Sequence, residues 1–148
     1  MGYCMDKRDS RFEMAAADKP GALAAIHALM GKVDELGEGG RWSDGKCVEK
    51  WFSWVDTGVV LKATELSEAM QGWGWPIDED ETTGDVTDIY FYGEKAGQEE
   101  LLFKAIAPFV KDGSYIEMVG EDGSIWRWLF KGGKCVEQNA TVSYGDDE

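Results

Sequence analysis

The chain has 148 residues, 43% of them hydrophobic, which suits one globular domain. Its 29 acidic and 15 basic residues give a formal charge of −14 and a pI near 4.4. That balance excludes proteins that hold nucleic acid or anionic membranes through Lys and Arg, and it favours a cationic partner.

The N-terminal "MGYCMDKRDS" has no apolar core of signal-peptide length, and no run approaches the roughly 20 apolar residues of a membrane span. Asp6 stands where a myristoylation signal wants Ser or Thr. Cys4, Cys47 and Cys135 form an odd set without CxxC spacing, as free thiols do in a reducing compartment. The expected location is the cytoplasm.

In chain order, "RFEMA" alternates Phe12 and Met14 and predicts a first strand. Asp18 and Pro20 open a helix whose stripe is Leu23, Ile26, Met30 and Val33, closed at Gly37. "GEGGRWSDGK" (37–46) reads as a flexible loop and "CVEKWFSWV" (47–55) as a second strand. A short helix follows from Thr64, carrying Leu66, Ala69 and Met70 and stopped before Pro76. "IDEDETTGD" is a charged loop and "VTDIYFYGE" (86–94) a strand. "QEELLFKAIAPFV" (98–110) is an amphipathic helix with acidic residues at its positive end and Pro108 distorting its last turn. Three strands joined by "EDGS" and "KGGK" turns finish the chain. The order β-α-β-α-β-α-β-β-β predicts an α+β domain over residues 1–148, a mainly antiparallel sheet with helices on one face. The acidic tail 145–148 is expected to be flexible.

A two-residue loop at Asp122-Gly123 would pair Val119 with Trp126, Glu117 with Trp128 and Tyr115 with Phe130. A second at Gly132-Gly133 would pair Leu129 with Val136, Trp128 with Glu137 and Trp126 with Asn139. One face then carries Ile116, Met118, Ile125, Leu129 and Val136. The other carries Trp126, Trp128 and Phe130 with Glu117 and Glu137. Burying two carboxylates costs several kcal/mol each unless they are paired, on the order expected for desolvated charge. The aliphatic face is therefore expected inside and the aromatic face at least partly wet. Glu117, Trp128 and Glu137 in one row would receive an arginine, by cation–π attraction and bidentate bonding. The plainer alternative is that these rings pack as core.

Catalytic signals are sparse. His27, the sole histidine, sits at the edge of a helical stripe and reads as a packed residue rather than a base. The cysteines and His27 lack zinc spacing, and the 78–89 run fails the calcium-loop pattern at Thr82, Gly84 and Ile89. No dinucleotide motif is present, so neither metal nor cofactor is implied. Asp78, Glu79, Asp80 and Glu81, followed by Asp85 and Asp88, make the densest negative patch. They read either as a solvated loop or as a phosphate-like array offered to a basic groove.

"MGYCMDK", "KWFSWVDT" and "LLFKAIAPFVKDGSYIEMVGEDGSIWRWLF" resemble a family of small acidic proteins carried on bacterial, phage or plasmid-borne genes. The resemblance covers nearly the whole chain, attaches no activity, and implies a mobile-element setting. Proteins of that setting include inhibitors of host defence, among them anti-CRISPR proteins that occupy nucleic-acid-binding grooves. The resulting expectation is a non-enzymatic acidic protein that binds a basic protein surface. Its contacts would come from Asp78, Glu79, Asp80, Glu81, Glu117, Trp126, Trp128 and Glu137. The alternatives are a small-ligand domain or enzyme using the aromatic face as a pocket, and an immunity protein against a basic toxin.

Overall fold

The last three strands form a meander, and a polar N-terminal strand joins them at one edge. A computed structural model describes residues 2–140, so the 145–148 tail lies outside the described residues. In order the elements are β1 (Met5–Arg11), α1 (Lys19–Met30), α2 (Val33–Leu36), β2 (Gly39–Ser43), β3 (Lys46–Trp51), α3 (Thr57–Lys62) and α4 (Leu66–Gly72). There follow β4 (Ile77–Glu79), β5 (Val86–Ile89), α5 (Glu99–Ile106), β6 (Tyr115–Gly120), β7 (Ile125–Lys131) and β8 (Lys134–Asn139). The fold is α+β with antiparallel sheets: β1-β6-β7-β8, and two hairpins, β2-β3 and β4-β5.

Several local expectations change. The first strand is not "RFEMA" but Met5–Arg11, which has little β propensity and is specified by pairing to β6, with a register shift between Lys7 and Asp9. Phe12 and Met14 follow it as buried core. The 37–46 loop is largely strand: Asp44 and Gly45, both at positive φ, turn β2 into β3. α1 stops at Met30 rather than Gly37, α3 was not expected, and α5 ends at Ile106 before a single 3₁₀ turn containing Pro108. α4 begins one residue later than Thr64 would place it, because Glu65 and Glu68 form a reciprocal capping box.

The largest correction is the β6-β7 register. The pairs are Val119 with Ile125, Glu117 with Arg127 and Tyr115 with Leu129, one residue away from the two-residue-loop expectation. The loop holds three residues, Glu121, Asp122 and Gly123, closed by Gly120 N–H to Ser124 O at 2.8 Å and Gly123 N–H to Gly120 O at 2.9 Å. Gly123 supplies the left-handed φ of +84° that such a loop needs. A one-residue slip turns every side chain of β7 over. The β7-β8 register matches expectation, with Trp128 opposite Glu137 and Trp126 opposite Asn139.

The aromatic side therefore faces the core. Trp128 and Phe130 are buried beside Ile116 and Met118. Phe103 of α5 lies 5.0 Å from Trp128 and 5.9 Å from Phe130, and Trp75 stands edge-on to both Phe103 and Trp128. Burial of each large aromatic contributes about 2–3 kcal/mol, so this register removes far more apolar surface from water than one burying Arg127 and Leu129.

Candidate binding surfaces

The acidic run 78–81 is not a formless loop. Asp78 and Glu79 lie on β4, and the chain returns through a tight turn into β5. Asp80 builds that turn: its carboxylate accepts from the N–H groups of Thr82 and Thr83, each at 2.8 Å, and its carbonyl accepts from Gly84 N–H at 2.8 Å. These backbone bonds hold the Asp80 carboxyl below the usual carboxylate range. Asp78 accepts the Tyr90 hydroxyl at 2.6 Å, which pushes that phenol up to about 12. Glu79 pairs with Lys19 at 2.8 Å, and Asp85 accepts Ala16 N–H at 2.7 Å. Lys7 ties the hairpin to β1, donating to Ile89 O at 2.8 Å. Glu81 has no side-chain partner among the described residues and is exposed. A groove of about 520 Å³ runs beside the hairpin, with Glu13, Asp18, Asp80 and Asp85 among its walls.

Glu117, Trp128 and Glu137 do not form one row. Glu117 projects from the face opposite Trp128 and is already occupied by the chain's own arginines. Arg127 Nη2 donates to it at 2.7 Å and Arg8 Nη1 at 3.3 Å. Arg127 also lies 4.1 Å over the Tyr115 ring. Trp128 is buried, so the expected wet aromatic face is closed and offers no broad ligand platform. Trp126 is half-buried, 6.2 Å from Tyr3.

Glu137 acquires a different neighbour. On the edge strand β8 it meets Glu100 of α5 in a notch of about 200 Å³ shared with Lys104, Cys135 and the edge of Trp128. Burial first, then hydrogen bonding and repulsion from Glu100, raise the Glu137 carboxyl. Glu100 was absent from the expected contacts; its place in the first turn of an amphipathic helix gave no hint of a partner on β8. β5 lies against β1, whereas Glu137 is on β8, so the hairpin and the notch flank opposite edges of the four-stranded sheet. Three strand spacings, about 14 Å, separate those edges.

Two of the nucleophile and base candidates, His27 and Cys135, lie in different surroundings. His27 Nε2 lies 3.0 Å from Val60 O, a bond it makes by donating N–H. Burial pushes the Cys135 thiol up to about 12, which leaves it unreactive near neutral pH. No helix among the described residues is long and apolar enough to cross a membrane. No family model, curated protein or solved structure matches this chain.

Proposed function

We propose that this is an acidic, non-enzymatic binding protein that occupies a basic surface of a partner protein. One observation carries the reading: Asp78, Glu79 and Asp80 of the β4-β5 hairpin stand exposed in positions fixed by hydrogen bonds and an ion pair, with Glu81 free beside them. Fixed charges suit recognition, because little side-chain entropy is lost when a cationic surface docks. Glu81 is the free charge at the tip, and the groove walled by Asp80 and Asp85 accepts a lysine or arginine from the partner. In the mobile-element setting, the corresponding target is the nucleic-acid groove of a host defence protein, with the hairpin imitating phosphates.

The test is affinity capture from host lysate with wild type and Glu81→Lys, followed by elution with salt and with a short DNA duplex. Expected partners are basic, leave in rising salt, are displaced by the duplex, and bind Glu81→Lys several-fold less. Capture of only acidic or neutral partners, or binding indifferent to salt and duplex, overturns the reading.

A further inference from the structure

We propose that a cleft between the end of β3, the end of α4 and the segment entering α5 binds a small organic ammonium, with Trp54, Trp73 and Phe91 around the cation and Glu99 as its counter-ion. The site is independent of the acidic hairpin. Its volume is about 220 Å³, and Ser53, Gly93 and Gln98 complete much of its lining. That is below the roughly 300 Å³ at which pockets for drug-sized ligands begin, and it suits a trimethylammonium-sized group rather than a nucleotide.

Three features converge there. Three aromatic rings line one small space, and ring faces attract cations most strongly where water is excluded. Glu99 is only 7% exposed, a rare condition for a carboxylate without a cationic partner. Its oxygens accept from Gly97 N–H, at 2.8 and 3.2 Å, and from its own amide, and no side chain among the described residues donates to them. Trp54 holds a left-handed φ of +66°, costly for a bulky residue, and is 63% exposed as a residue at the cleft mouth.

Gly97 lets the chain pass close behind the cleft: a Cβ there would lie 2.8 Å from Ser53 O, 3.0 Å from Trp54 Cδ1 and 3.6 Å from Glu99 Oε2. Lys95 also borders the cleft, yet its aliphatic stem lies against Gly2, where an added Cβ would meet it at 2.7 Å. Phe91 is fixed by stacking on Trp75 at 4.6 Å, and Trp73 by Phe52 at 5.2 Å. The receptor is therefore preorganised.

Tryptophan fluorescence and amide NMR shifts would be followed while titrating choline, and in parallel its uncharged isostere 3,3-dimethyl-1-butanol. Choline should saturate, with shifts centred on Trp54, Gly97 and Glu99, and the neutral alcohol should not. Glu99→Gln, nearly isosteric, should weaken choline binding at least tenfold. Trp54→Ala, which removes an exposed ring, should also weaken it while the circular dichroism is retained. A trimethyllysine peptide run alongside identifies the source: tighter binding than choline assigns the ammonium to a protein side chain, weaker binding to a free molecule. Equal response to choline and the alcohol, absence of saturation with all three probes, or unchanged affinity in folded Glu99→Gln overturns the proposal.

Discussion

The β4-β5 hairpin and the Glu99 cleft hold carboxylates in opposite ways. In the hairpin they are exposed, and three of the four in the 78–81 run have hydrogen-bond or ion-pair partners, with Asp80 held below its usual range. In the cleft one carboxylate is buried, bonded only to backbone amides among the described residues, and raised by desolvation. The lesson concerns what charge does in each place. Hairpin carboxylates support the fold and present a surface, whereas Glu99 is kept at a cost to stability.

The strongest challenge to that contrast is Gln98→Ala. Gln98 Oε1 accepts from Glu38 N–H at 2.9 Å and Ser53 N–H at 3.0 Å, and its Nε2 donates to Leu36 O at 2.6 Å. It thereby fastens the chain on either side of the β2-β3 hairpin beside the cleft. Its loss should cost on the order of 3 kcal/mol in denaturant unfolding, because several partly buried polar groups lose their partner. A cost within experimental error would mean that the cleft wall is not built by this residue.

Glu99→Gln comes next. Because burial raises the Glu99 carboxyl, the native state holds its proton more tightly than the unfolded chain, and stability falls as pH rises through the window between the two values. Gln does not titrate, so Glu99→Gln should melt higher than wild type at neutral pH, with the gap narrowing in acid. A constant gap across pH would remove the strain assigned to this carboxylate.

The smallest effect belongs to Asp80→Ala, and its sign is reversed. The folded-state value of Asp80 is lowered by the Thr83 and Thr82 amides. Its stabilisation is present above the unfolded carboxyl value and is lost as pH falls through the folded one. Asp80→Ala should lower the melting temperature at neutral pH and have progressively less effect in acid. Melting curves for the two variants, recorded across one pH series, should thus diverge from wild type in opposite directions.

Much of the fold was readable from local pattern. The 132–133 turn was specified by two adjacent glycines, and its register followed, with Trp128 opposite Glu137. The 121–124 turn was not, because "EDGS" suits a two-residue Asp-Gly loop and a three-residue loop ending in Gly equally well. Contacts distant in sequence select the longer loop: Cys4 N–H donates to Glu121 Oε1 at 2.6 Å, Glu121 N–H to Cys4 O at 2.9 Å, and the Tyr3 hydroxyl to Asp122. With that choice Arg127 changes faces and meets Glu117, and Trp128 is buried. Of the expected contacts, the four hairpin carboxylates were found together by their adjacency in the chain. The Glu100–Glu137 notch and the Trp54–Glu99 cleft were invisible, since each joins segments far apart in sequence.

By itself the sequence determined the acidity, the α+β class and the amphipathic helix that covers the sheet, because charge, periodicity and turn chemistry are local properties. Tertiary structure decided which face of β7 is inside, which carboxylates are paired and where a carboxylate is left buried, because each depends on groups brought together only by the packed fold.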